Sequence, residues 1–206
     1  MRKNKFFIIV ISTLLVIITA SAIVLANTEN IGARFGSIFK LFKADHKDSE
    51  NIVFQSDEIT ITEDEIKYYK EMNRINKLEL SDEDIKKNLI TNALLLKEAE
   101  KAGVSLTDEE VKKYMTQNIE GALKDPENTF NSFLESAGMT KEEYLEKAFP
   151  VYKRNFIIGK YKSFCLKPKF NEENRSLNEK ERKEQFEEFY KQYKEKLYND
   201  FMEAQQ

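Results

Sequence analysis

An all-α protein is what this sequence predicts, on three observations. Capping signatures recur just ahead of apolar patterns of helical period. Those patterns fill most of the chain after residue 62. Three prolines and six glycines in 206 residues leave little punctuation, most of it between the patterns. In a capping box a Ser or Thr hydroxyl accepts from a free N–H of the first turn, and an acidic side chain three residues on reaches back. Thr62 with Glu65, Thr107 with Glu110 and Thr140 with Glu143 fit the pattern, and Ser81 with Asp84 is a shorter acidic variant.

The first 26 residues stand apart from any folded domain. Phe6 to Ala26, FFIIVISTLLVIITASAIVLA, runs 21 residues without a charge, and about 20 apolar residues span a bilayer as a helix. It exceeds the roughly 7–15 apolar residues of a secretory signal, so residues 1–26 are expected to be an uncleaved anchor. Ala20-Ser21-Ala22 and Val24-Leu25-Ala26 keep a cleaved signal, and hence a secreted chain, as the alternative. No cysteine near the segment's end supports a lipid-modified anchor. Arg2, Lys3 and Lys5 favour the N-terminus inside and the bulk of the chain outside the cell membrane, although Arg34, Lys40 and Lys43 follow the segment. Cys165 is the single cysteine, so no intramolecular disulfide forms.

Residues 27–51 read as a juxtamembrane linker. Within it Ile31, Phe35, Ile38 and Phe42 recur at helical spacing. An amphipathic helix on the membrane surface, an ordinary linker and an extension packed on the domain all fit. The polar run ADHKDSEN places a boundary before residue 52, and residues 52–206 form the expected helical domain.

That domain opens with two short extended pieces around a Ser-Asp turn, residues 52–61. A first helix over 63–78 carries Ile66, Tyr69, Met72 and Ile75. A second, over 82–102, has the widest apolar arc (Ile85, Leu89, Ile90, Leu94, Leu95), is expected to be the most buried, and stops at Gly103. A third, 107–124, places Val111, Tyr114, Met115 and Ile119 on one side and ends at Asp125-Pro126. A short fourth, 128–137, carries Phe130, Phe133 and Leu134 and ends at Gly138. The fifth runs from Thr140 to about Phe164, with Pro150 predicting a kink. A polar break at 170–176 precedes a last helix over 178–204. Its Phe186, Phe189, Tyr190, Tyr193, Leu197, Tyr198 and Phe201 make one aromatic stripe, too apolar to face water alone.

Catalytic chemistry finds no constellation. His46 is the one histidine, in the polar linker, and with a single cysteine it cannot make a structural zinc site. No phosphate-binding Gly-rich loop, nucleophile elbow or H-E-x-x-H helix occurs. Carboxylates fall on helix starts and solvent faces. Thirty-three basic against 36 acidic residues, net −3, lack the basic excess that nucleic acid requires. No enzyme activity, cofactor, metal or nucleic-acid partner is expected.

Three stretches in order, FQSDEITITEDEIKYYKEM, LITNALLLKEAEKAGVSLTDEEVKKYM and FNSFLESAGMTKEEYLEKAFPVYKRNFIIGKY, resemble the N-terminal chaperone region of the SurA and PrsA extracytoplasmic foldases of bacteria. No single piece is diagnostic; their order is the specific part, covering roughly Val53 to Lys162. The resemblance implies a SurA-like helical domain, with the C-terminal helix packing back on it, that holds unfolded or nascent exported polypeptide without ATP. Prolyl isomerase activity does not carry over: the residues after Phe164 read as one helix, and the parvulin histidines are absent. A transmembrane anchor over 6–26 also replaces the lipidated cysteine of the PrsA group.

Holding a client requires apolar side chains that adapt to many sequences, which Met and aromatic residues do well. Phe130, Phe133, Met139 and Tyr144, around the break between the fourth and fifth helices, are the candidate polypeptide-binding residues; the competing reading places them in the core. For the last helix, client or homodimer contact is the alternative to packing within the domain. A structural or adaptor subunit docking one folded partner is the alternative function.

Overall fold

Each predicted cap closes. The N–H groups of Glu65, Glu110 and Glu143 donate to Thr62, Thr107 and Thr140 hydroxyls at 3.3, 3.2 and 3.1 Å, and the three glutamates accept from the threonine N–H groups at 2.8, 2.7 and 2.8 Å. Ser81 and Asp84 form the shorter variant, with bonds of 3.1 and 3.3 Å. A further box, Asn178 with Glu181, starts the last helix. Each box satisfies two donors that a helix start leaves open.

The structure, a computed structural model, describes residues 31–44, 51–124 and 129–205, without the side chains of 41–44. The proposed membrane segment at 6–26 and His46 lie outside the described residues. Among the described residues no helix is long and apolar enough to cross a membrane.

The described chain is mostly helical. Helix α1 (Ile31–Ala44) precedes a two-stranded antiparallel hairpin, β1 (Ile52–Gln55) and β2 (Thr60–Thr62), with a bulge between Ile52 and Phe54. Then come α2 (Glu63–Ile75), α3 (Asp82–Lys101), α4 (Asp108–Leu123), α5 (Thr129–Ala137) and α6 (Lys141–Tyr161). A wide π-helical turn, Lys162–Leu166, leads into α7 (Lys167–Glu173), and α8 (Glu179–Glu203) completes the order.

The described residues divide into two compact units: those up to 86 with those of 107–153, and those of 87–106 with those after 153. Two of the three boundaries fall inside helices, α3 and α6, and the third lies in the loop between α3 and α4. In the first unit, Phe35, Ile61, Tyr68, Met72, Ile85, Val111, Met115, Ile119 and Phe133 are almost wholly shielded from solvent. In the second, Leu89, Ile90, Leu94, Leu95, Leu166, Phe170 and Phe186 are buried.

Several elements settle an open alternative or differ from their expected form. Residues 31–44 are a packed extension of the first unit: Gly32, Phe35, Gly36 and Phe39 are its buried face, while Arg34 and Lys40 are exposed. Helix α2 stops at Ile75 rather than 78, and Lys77 turns left-handed at φ 57°. The Leu78 N–H then closes on the Asn73 carbonyl at 3.0 Å. Gly103 and Gly138, at φ 72° and 62°, make the same closure without a Cβ, with Val104 reaching Ala99 at 2.9 Å and Met139 reaching Leu134 at 3.1 Å. Helix α2, not α3, is the most buried for its length, with seven of its 13 residues shielded, because Glu65, Tyr68 and Asn73 join the expected stripe. Tyr114 faces solvent.

The fifth helical pattern runs on past Phe164 to Glu173, so the break narrows to the residues before α8. Pro150 lies inside the unbroken α6. Pro168 sits in the first turn of α7, just after the π turn, where the Lys167 N–H reaches back to the Lys162 carbonyl. A proline ring ordinarily collides with the carbonyl four residues earlier; the wider turn relieves that collision and carries the helix through.

Replacing Lys77 by Gly removes the left-handed Cβ penalty of about 1–2 kcal/mol, partly offset by the backbone entropy of glycine. The expected net gain is roughly 0.5–1 kcal/mol, measured by urea unfolding; an unchanged or lower midpoint contradicts the strain assigned to this turn.

Candidate functional site

The four residues singled out from the sequence come together only in part, and all are buried. Phe130, Phe133 and Tyr144 form one cluster in the first unit. Phe130 and Tyr144 meet edge-on at 5.1 Å, Phe133 and Tyr144 at 5.7 Å, and the two phenylalanines stack at 6.4 Å. Edge-to-face and offset arrangements set the positive ring edge against the negative face. Phe39 of α1 adds a fourth ring, edge-on to Phe133 at 5.9 Å. Met139 is shielded to a similar degree, at 8% exposure against 3%, 0% and 3% for Phe130, Phe133 and Tyr144. The core reading of these residues describes their placement.

Burial also sets the chemistry of the tyrosines here. Loss of solvent holds the Tyr144 phenol well above its usual range, and the neighbouring Tyr152 hydroxyl adds to the effect. Burial pushes Tyr152 up to about 12 and holds Tyr68 well above 10.0. Neutral phenols suit a packed interior, and none is poised as a general acid or base near neutral pH.

Exposed apolar side chains are scattered over the first unit (Ile52, Val53, Leu78, Tyr114 and Leu123), whereas the second carries a continuous row of part-exposed rings. On α8, Phe186 is buried, but Phe189, Tyr190, Tyr193, Leu197, Tyr198 and Phe201 are only half-buried. The rings run in a ladder: Phe186 stacks with Phe189 at 6.0 Å and Tyr190 at 6.4 Å, and Phe189 with Tyr193 at 6.3 Å. Phe170 of α7 covers one end at 5.2 Å from Phe189. The Tyr161 and Tyr193 hydroxyls hydrogen-bond at 2.9 Å, and burial followed by that bond raises the Tyr161 phenol.

Charge edges the ladder. Lys162 Nζ lies 4.3 Å from the Tyr190 ring centre and 3.0 Å from Glu187, and Lys194 approaches the same ring at 5.3 Å. Lys87 pairs with Glu195 and sits over Tyr198 at 5.2 Å. Helix spacing i, i+3, i+4, i+7 builds this ladder, so the expected stripe is real, with one buried ring and the rest half-open. In the same unit Phe164 is 73% exposed on the π turn. Sequence reasoning passed it over as the end of a helix; Pro168, four residues on, was the available signal.

A cleft of about 340 Å³ in the first unit is lined by paired charges: Lys67 with Glu63 at 2.9 Å, Lys70 with Asp82 at 2.6 Å and Lys86 with Glu83 at 2.5 Å. Each cation is matched by an anion, so the cleft selects neither sign of ligand. Among the described residues no group of His, Cys, Asp and Glu side chains could hold a metal ion. Cys165 is free and half-buried.

No family model, curated protein or solved structure matches the chain.

Because burial raises the folded-state pKa of Tyr152 above 10.0, its contribution to stability is whole below pH 10.0 and is lost as pH climbs toward about 12. Tyr152→Phe keeps the ring and deletes the titration, so its alkaline unfolding midpoint by circular dichroism is expected at higher pH than wild type. Coincident midpoints would remove Tyr152 from the account of alkaline unfolding.

Proposed function

We propose that the chain is a membrane-anchored, ATP-independent and non-catalytic holding chaperone of the SurA and PrsA kind, binding unfolded or partly folded exported polypeptides outside the cell membrane. The half-open aromatic ladder of α8, edged by Lys162, Lys194 and Glu187, carries the reading. Soluble proteins expose scattered apolar side chains as a matter of course, but a contiguous aromatic row with a charged rim is the make-up of a polypeptide-binding surface. Stacked Phe and Tyr rings offer large apolar area with little rotamer entropy to lose, and they accept many partner sequences. The charged rim keeps the surface soluble between clients. The ordered resemblance of Val53–Lys162 to the chaperone region of those foldases supports the same reading.

The chain from Asn27 onward is expected to suppress aggregation of an unfolded test protein at near-equimolar ratio. Phe164→Ser, at a mostly exposed position, should change stability by less than about 0.5 kcal/mol and weaken client binding by about three- to tenfold, the share of one phenyl ring. No suppression at several-fold excess sinks the proposal. A defined complex with one folded protein, and none with unfolded chains, would turn the reading to an adaptor.

A further inference from the structure

Helix α1 is fixed to the first unit from its very start. A Cβ at Gly32 would lie 1.9 Å from the Thr129 carbonyl oxygen, and one at Gly36 would lie 2.4 Å from that of Phe133 and 2.9 Å from the Ala137 nitrogen. Gly32 thus meets Thr129, and Gly36 meets Phe133 and Ala137, so α1 and α5 run parallel with their N-terminal ends side by side. Along the same seam Phe35 is fully buried and Phe39 nearly so. A contact this close leaves α1 no slack. Wherever Ile31 is held, the N-terminal end of α5 is held too.

Helix α4 ends nearby. It packs on α5, and its last residue, Leu123, is followed by the C-cap Lys124. Five Cα steps separate Lys124 from Thr129, a reach of at most about 18 Å. Leu123 is 37% exposed, with Glu120 and Lys124 exposed beside it. Arg34 is exposed one turn into α1, and Ile31 is half-buried.

The spacer between this end and the expected anchor is just as short. The uncharged run closes at Ala26 and α1 opens at Ile31, again five Cα steps and about 18 Å at full extension. Headgroups take up about 6 Å on each side of the hydrocarbon core, so about 12 Å of that reach extends beyond them. Helix α5, of nine residues, is about 13 Å long. With its Ala137 end against the lipid, Ile31 would stand at that height plus the thickness of the turn at Gly138, beyond the spacer's reach.

Charge does not choose the end that faces the bilayer. Arg34 and Lys124 are offset by Glu120, and Glu29, Asp125 and Glu127 flank these helix ends in the sequence. Covalent reach chooses it, and Ile31 and Leu123 supply apolar side chains suited to a headgroup boundary.

We propose that the end of the first unit formed by the starts of α1 and α5 and the close of α4 rests on the lipid headgroups, with Ile31 and Leu123 against the bilayer. The Gly138 end points away from it. This rests on the membrane anchor of the function proposed above and is independent of client binding. It makes α1 a rigid bracket rather than a linker, one that sets which end of the unit faces lipid.

The test is fluorescence quenching on the full chain in phosphatidylcholine vesicles, in a Cys165→Ser background, with a headgroup-bound nitroxide lipid as quencher. A dye on Lys124→Cys should be quenched about threefold more strongly than one on Glu142→Cys, at the start of α6, because the length of α5 separates the two ends. Added salt or anionic lipid should leave that ratio unchanged. Inserting about 20 Gly and Ser residues between Asn30 and Ile31, a coil of roughly 25 Å, should bring the two positions to equal quenching. Equal quenching without the insert, or a ratio that follows lipid charge or survives the insert, overturns the proposal. Alkaline carbonate extraction of the same vesicles separates the two readings. A chain that stays in the membrane with equal quenching loses only this orientation; a chain released to the supernatant loses the anchor and the orientation with it.

Discussion

The approach of two glycines in α1 to the backbone of α5 is the constraint on which the first unit depends. Any side chain at Gly32 or Gly36 would overlap Thr129, Phe133 or Ala137. Without that approach Phe35 and Phe39 could not reach their buried positions, and Phe133 would lose its ring partner on α1. The cost of backbone freedom at two glycines is offset by closing an aromatic cluster that would otherwise meet water. One pair of small residues thus sets how closely α1 can bring Phe39 onto Phe133.

The second unit solves a different problem. Pro168 threatens to end a long helix, and the π turn at Lys162–Leu166 carries the chain past it into α7, where Phe170 is buried against Phe186. The same turn presents Phe164 to solvent. Helix α7 covers one end of the aromatic row on α8 and leaves the rest half-open, edged by ion pairs and by lysines over ring faces. Cation–π contacts of this kind hold a charged rim close to an apolar surface. The proposed holding function draws on that combination, apolar area for a client and charge for solubility.

Helix starts were the most legible part of the sequence, because a capping box is local: Thr62, Thr107 and Thr140 each find their glutamate three residues away whatever the rest of the chain does. Gly103 and Gly138 were legible for the same reason. Lys77 was not, since any non-glycine residue argues against a left-handed turn, and the tertiary fold imposes one. The path of the chain beyond Phe164 was misjudged because a proline usually stops a helix, and a π turn leaves no sequence signature of its own. The candidate residues Phe130, Phe133, Met139 and Tyr144 were correctly seen as apolar, with the core as the competing reading, and the ring that meets Phe133 comes from the stretch assigned to the linker. The Gly32-x-x-x-Gly36 spacing was present in that stretch and is the signal that could have placed it.

The central claim is that α1, through its glycines, is what shuts the aromatic cluster of the first unit. Ala137 lies at that seam and is 3% exposed, so a thiol placed there reports directly on whether α1 is seated. In a Cys165→Ser background, Ala137→Cys should react slowly with a thiol-specific dye, and adding Gly36→Leu should make the reaction fast while α2 and α4 remain helical by hydrogen exchange. Equal protection of the thiol with and without Gly36→Leu would contradict the claim.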